Sequence, residues 1–417
     1  MFKRRLFDVI KARFTEEPVI ILEGARAVGK STILQAISKD LDVPIIDLDD
    51  LATRGAVSND PSHFVEGNEP VLIDEYQKVP EILDAIKAEL NKATYAGRYL
   101  LTGSVRSEKL PRGTQALTGR VHHLVVPPLM QCEIEGSKID LLSTILKDPE
   151  GLIVKKRSKT DRLNYANRVT TGGFPLVLNS KSLGQRNRWL KDYINKSLSQ
   201  DVQEISKIQQ KELLPRLLTL LASQNAQVLN TAKISREIEL NAITTDQYIK
   251  LLESLFIAQR IPAWGRRLNA RSIQKPKIQL LDSGLLSHLA KLTPEKITGK
   301  SAVAATEFGH AFESFVTNEF LRLAQLRDDF IAPGHWRTHD SDEVDLVLEF
   351  QTGAIVGIEV KASKMLSDSD FRGLRKLKEY VGTDFHCGIL IYQGEFSYRN
   401  PDGLIALPAD RLWLDWF

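Results

Sequence analysis

The chain has 417 residues, 42% of them hydrophobic and 26% charged, with a formal net charge of +3 at pH 7. That length admits about three domains of ordinary size, and no apolar run approaches the ~18 residues that span a bilayer, so a membrane partner is not expected. A net charge this small does not announce a nucleic-acid binder, although local patches still can. The two cysteines, Cys132 and Cys387, lie far apart and outside metal-ligand spacing, which fits a reducing compartment without disulfides. Lys11 and Arg13 interrupt the segment after the basic start, so no secretory signal and a cytoplasmic location are expected.

In chain order, the first element is an apolar run, Val19-Ile20-Ile21-Leu22, which reads as a buried parallel strand. Gly24-Ala25-Arg26-Ala27-Val28-Gly29-Lys30-Ser31 follows, and Thr32-Ile33-Leu34-Gln35-Ala36-Ile37 continues at helical spacing. Glycines let backbone N–H groups turn toward phosphate oxygens, Lys30 neutralises the β- and γ-phosphates, and the Ser31 hydroxyl ligates Mg²⁺ at a helix N-terminus that favours anions. The nucleotide-binding set is thus Gly24 to Thr32, with ATP and Mg²⁺ as ligands.

Val43-Pro44-Ile45-Ile46-Asp47 reads as a weaker strand. Val71-Leu72-Ile73-Asp74-Glu75 ends in two carboxylates: Asp74 is placed to hold Mg²⁺ through its water shell, Glu75 to orient and deprotonate an attacking water. Arg98 to Ser104 forms a fourth strand, and Ser104 is the candidate for reading the γ-phosphate or placing the lytic water. Arg120, in Leu117-Thr118-Gly119-Arg120, either completes a neighbouring subunit's site in a homo-oligomer or forms a salt bridge.

These residues resemble the AAA+ superfamily, and more narrowly the predicted prokaryotic ATPases that carry a C-terminal domain of unknown function. The resemblance rests on Glu23 to Thr32, Leu72 to Gln77, Leu101 to Ser104 and Leu117 to Arg120, joined by Gly172-Gly173-Phe174-Pro175 and Leu281-Asp282-Ser283-Gly284-Leu285-Leu286. It implies an α/β fold with a P-loop parallel-sheet ATPase domain over 1–128.

Residues 129–211 read as a helical lid and connector, with no chemistry assigned to the Gly172–Pro175 turn. Over 212–277, Ile234 and Ile238 lie one helical turn apart, Thr244 and Gln247 give a capping-box pattern, and Tyr248, Leu251, Leu252 and Leu255 repeat at helical spacing. This reads as a winged helix-turn-helix. A run of Arg260, Arg266, Arg267, Arg271, Lys275 and Lys277 follows without an acidic residue. It suits either phosphate contacts on DNA or pairing with acidic surfaces of neighbouring domains.

The last segment, 278–417, holds the second constellation. Glu343-Val344-Asp345-Leu346-Val347-Leu348 and Ile355-Val356-Gly357-Ile358-Glu359-Val360-Lys361 read as a hairpin turning near Gly353. Alternation puts Val344, Leu346 and Leu348 on one face, Glu343 and Asp345 on the other, and Glu359 with Lys361. Two carboxylates and a lysine suit metal-assisted phosphodiester cleavage with Mg²⁺ or Mn²⁺. The pattern resembles the PD-(D/E)XK nucleases, a restriction-endonuclease-like α/β fold. That resemblance implies Asp345, Glu359 and Glu313 as metal ligands and Lys361 as a catalytic group, with Phe312 to Val316 on the first helix. An active nuclease, an inactive scaffold and a surface hairpin all stand open. His335, Trp336 and His339 read as packing and surface residues. The expected function is an ATPase that couples nucleotide to this nuclease-like domain and to DNA, or else a nucleotide-controlled switch that binds a protein partner.

Overall fold

The computed structural model describes residues 2–106, 117–202, 210–266, 275–299, 301–340 and 342–415. Five strands, β1 (Val19–Glu23), β2 (Ile45–Asp47), β3 (Val71–Asp74), β4 (Tyr99–Gly103) and β5 (Val121–Val125), form a parallel sheet in the order β2-β3-β4-β1-β5. β1 is buried at every position, as a parallel strand covered on both faces must be. Its period-two alternation divides the domain's core. Ile20 and Leu22 join Leu72 and Leu100 on one face, Val19 and Ile21 join Ile73 and Leu101 on the other. Because β4 lies between β3 and β1, the residues ending these three strands meet at one edge of the sheet. There the β1 turn opens into the helix Lys30–Leu41.

The middle of the chain is helical. Helices Leu214–Ser223, Thr231–Ile238 and Ala242–Ser254 precede a two-stranded antiparallel sheet, β6 (Ala258–Ile261) and β7 (Lys277–Leu280), in which Ile261 pairs with Lys277. Asn241, rather than a Thr244/Gln247 box, caps the third helix: its side chain accepts from Thr244 N at 2.8 Å. Asparagine is among the strongest N-caps and claims the position three residues earlier than the box predicts.

The C-terminal sheet is mixed: β8 (Phe330–Arg337), β9 (Glu343–Phe350), β10 (Ile355–Lys361), β11 (Phe385–Tyr392), β12 (Tyr398–Arg399) and β13 (Ile405–Pro408), in the order β12-β13-β11-β10-β9-β8. The β9–β10 hairpin turns at Gly353, whose φ of +83° favours glycine. Helix Ala302–Ala324 packs Phe308, Phe312 and Phe315 with Leu346, Leu348 and Ile358. Helix Arg372–Val381 places Leu374 and Leu377 with Val347, Ile355 and Leu390.

The strict alternation expected for β9 fails at Asp345. Gly334 pairs with Val347 but Trp336 pairs with Val344, so two residues of β9, Asp345 and Leu346, oppose one of β8, His335. This bulge sends Val344 into the cluster opposite to that of Leu346 and Leu348. Bulges re-aim side chains in this way and are common beside functional sites.

Candidate functional site

At the β1–β3–β4 edge, Gly24 approaches Val126 so closely that a Cβ would lie 2.4 Å from the Val126 carbonyl oxygen, and Gly29 takes φ +101° to start the helix. Lys30 is buried, and its Nζ donates to the carbonyls of Gly24 (2.9 Å) and Ala25 (3.0 Å). Burial, reinforced by the Arg26 charge and only partly offset by Glu75 and Asp74, lowers the Lys30 pKa to about 8. Arg26 donates to Asp201 through Nε (3.1 Å) and Nη2 (2.6 Å). Ala27 through Thr32 and Glu75 border one cavity of about 420 Å³.

Thr102 on β4 joins the acidic pair, its hydroxyl donating to Asp74 Oδ1 and accepting from Glu75 N at 3.2 Å. Glu75 is buried and left-handed, with φ +56°. Its Oε2 accepts from Gln77 Nε2 and from Ser104 Oγ at 3.2 Å. Ser104 is therefore held behind Glu75 and does not line the cavity. Arg120 donates to Asn91 Oδ1 at 2.7 Å and does not border its own chain's cavity either.

The far wall uses two motifs for which the sequence offered no chemistry. Pro175, Leu176 and Asn179 face the cavity. They are fixed by Gly173, whose carbonyl accepts from Leu129 N at 2.8 Å and whose Cβ, if present, would lie 2.3 Å from Leu129 O. Asp282 accepts from Gly173 N (2.7 Å), Gly284 N (2.9 Å) and Leu285 N (3.0 Å), while Arg322 lies 3.7 Å away. Arg4 closes the P-loop side, donating to Val28 O (2.8 Å) and Pro127 O (2.7 Å) beside Glu133 (3.3 Å).

A second cavity, about 550 Å³, lies in the C-terminal domain and is bordered by Glu313, Glu343, Asp345, Glu359 and Lys361. The expected carboxylates and lysine do converge. Lys361 Nζ pairs with Glu359 Oε1 at 2.7 Å, and Asp345 Oδ2 accepts from Val360 N at 3.0 Å. Burial, with Asp345 close by, pushes Glu359 up to about 8. Lys277, the last cation of the basic run, enters the same pocket, in line with the acidic-pairing alternative for that run. Its Nζ lies 2.9 Å from Glu313, 2.7 Å from Glu343 and 3.0 Å from Asp345. Burial opposes its charge, but Asp345, Glu313 and Glu343 outweigh it and hold the Lys277 pKa well above the usual value. The expected Mg²⁺ or Mn²⁺ does not fit this arrangement: an ammonium stands among its ligands, and among the described residues no group of three His, Cys, Asp or Glu is set to hold a metal.

Among the described residues of the basic run, Arg260, Arg266 and Lys277 are held in internal pairs. Arg260 meets Asp246 at 2.6 Å and Glu253 at 3.7 Å, and Arg266 meets Asp384 at 2.5 Å. Arg267 and Arg271 lie outside the described residues. His335 is buried against Lys275 O, Trp336 is buried, and His339 is exposed. Both cysteines are free and buried.

Residues 16–135 match the family model described as an AAA domain. The N-terminal region carries an AAA-like P-loop ATPase domain. Residues 162–296 match a domain of unknown function (DUF8612), and residues 308–412 another (DUF4143). Two mycobacterial relatives, the uncharacterized proteins Mb2031c of Mycobacterium bovis and Rv2008c of Mycobacterium tuberculosis, are each 24% identical over 95% of this chain and 81% of their own length. Among solved structures, a Walker-type ATPase of Pyrococcus abyssi is similar over 70% of this chain and 96% of its own (13% identity, TM-score 0.43). The Thermotoga maritima RuvB Holliday junction branch migration motor is similar over 63% and 90% (13% identity, TM-score 0.29). No helix among the described residues is long and apolar enough to cross a membrane.

Proposed function

We propose that the chain binds ATP with Mg²⁺ at the P-loop and hydrolyses it, and that this cycle acts on the arrangement of the winged-helix and nuclease-like parts. The observation that carries the reading is the meeting of Lys30, Ser31 and Glu75 around one cavity at the edge of the parallel sheet, with Asp74 next to Glu75 and linked to it through Thr102. Mg²⁺ supplies charge neutralisation of the β- and γ-phosphates. Lys30 exchanges two backbone carbonyls for phosphate oxygens, Ser31 and Asp74 are the groups that would hold the ion, and Glu75 polarises the attacking water. Gln77 and Ser104 position Glu75, and Arg120 is free of its own cavity, in keeping with service to a neighbouring copy. Pro175, Leu176 and Asn179 offer the base an apolar wall with one amide.

For the C-terminal domain, the occupied carboxylate pocket and the paired Arg260 and Arg266 favour the second reading: a nucleotide-controlled switch whose nuclease-like domain is closed to metal and whose partner is a protein. The test is ATP turnover with and without duplex and single-stranded DNA. Turnover indifferent to DNA is expected. Stimulation several-fold by DNA, lost on Arg266→Ala with Arg267→Ala, would restore the nucleic-acid reading.

A further inference from the structure

The carboxylate pocket is closed from outside its own domain. Lys277 opens β7, and the backbone around it is stitched on two sides: Ile261 pairs with it across the two-stranded sheet, Val228 bridges to it, and Leu229 N and Ala226 N donate at 2.8 Å to Pro276 O and Ile278 O. Its ammonium therefore arrives by the fold of the strand, not by the reach of a loose surface side chain. An ammonium has three N–H donors, and three carboxylates from two elements, Glu313 on the helix and Glu343 and Asp345 on β9, stand within 3.0 Å of it. The side chain is 4% exposed.

Burying such a cation without partners, or such carboxylates without a cation, is costly, so each stabilises the other. A second observation points to a cation site. Glu359 is 6% exposed and borders the cavity, and its Oε2 has no hydrogen-bond partner among the described residues. A divalent ion binds carboxylate oxygens at about 2.0 to 2.6 Å. It and an ammonium 3.0 Å from the same oxygens would repel strongly.

We propose that Lys277 is the resident cation of the C-terminal carboxylate pocket, that its ammonium and a divalent metal ion are alternative occupants, and that the β6–β7 sheet holds the pocket in its metal-free state. The pocket is thus a latent Mg²⁺ or Mn²⁺ site, opened only when β7 withdraws. This is independent of whether the P-loop hydrolyses ATP, since the readout is metal uptake by nucleotide-free protein.

Mn²⁺ is titrated into the full-length chain, with the free ion followed by electron paramagnetic resonance and folding by circular dichroism. Wild type and Asp345→Asn are expected to take up the same amount, because the pocket is closed in both. Lys277→Met is expected to bind about one further ion per chain, and to lose it when Asp345→Asn is added. Should Lys277→Met fail to fold, Lys277→Met with Glu343→Gln removes one charge of each sign and takes its place, with the same gain expected. Two results overturn the proposal. One is Mn²⁺ uptake by wild type that disappears in Asp345→Asn, meaning lysine and metal coexist. The other is a folded Lys277 variant that binds no more than wild type.

Discussion

Lys30 gives the nucleotide site a pH dependence that can be worked out in advance. Its folded-state pKa is lowered from 10.5 to about 8, chiefly by burial, which corresponds to roughly 3 kcal/mol against the charged form. Bound phosphates supply the missing counter-charge and raise that pKa again, so nucleotide binds the protonated lysine. Well below pH 8 the lysine is already charged, and affinity does not change with pH through this group. Above pH 8 each binding event takes up a proton, and by pH 9 the dissociation constant should rise about tenfold, or ~1.4 kcal/mol. In the nucleotide-free chain the sign reverses. The folded pKa lies below the unfolded one, so the unfolded state holds more protons between about pH 8 and 10.5, and stability gains from Lys30 deprotonation across that window. Equilibrium binding of a fluorescent ATP analogue at constant ionic strength measures the first effect. Lys30→Arg, which stays charged throughout, should bind with a flat profile. A flat wild-type profile, or an equal slope in Lys30→Arg, would refute the assignment.

Three further outcomes follow from the geometry. Glu75→Gln should leave nucleotide affinity near wild type while turnover falls by about 10²–10⁴, and Ser104→Ala should lower turnover by only several-fold, both read in a phosphate-release assay. Asp282→Ala removes the acceptor of three backbone N–H groups and leaves Arg322 short of a partner. A loss of about 3–5 kcal/mol in urea unfolding is expected, together with weaker nucleotide binding as the Gly173–Pro175 wall loosens; unchanged affinity would show that this wall does not contact the base. Arg266→Ala breaks a half-exposed pair with Asp384 and should change stability by no more than about 1 kcal/mol.

What was legible in the sequence was local. The P-loop is one contiguous stretch between a strand and a helix, and the β9–β10 hairpin follows from period-two alternation around Gly353. What was hidden depends on strand order and on distant neighbours. Thr102 reaches Asp74 only because β4 inserts between β1 and β3. Gly173 has its reason in Leu129 and Asp282, far along the chain in either direction. Asp345 turns at a bulge set by pairing with β8, which alternation alone cannot place. The basic run left phosphate contacts and acidic pairing both open because a list of charges does not show partners; Arg260 has Asp246 and Glu253 as partners. Lys277 opens a strand, Lys277–Leu280, that is buried at every position, and a buried lysine requires carboxylates.

The central claim is that the P-loop cavity hydrolyses ATP with the groups gathered there. Steady-state phosphate release by the full chain in Mg²⁺, set beside Lys30→Ala and Glu75→Gln, tests it most directly. The account predicts turnover in wild type, loss of both binding and turnover in Lys30→Ala, and binding without turnover in Glu75→Gln. Wild-type protein that binds ATP yet releases no phosphate, or turnover that survives Lys30→Ala, would contradict it.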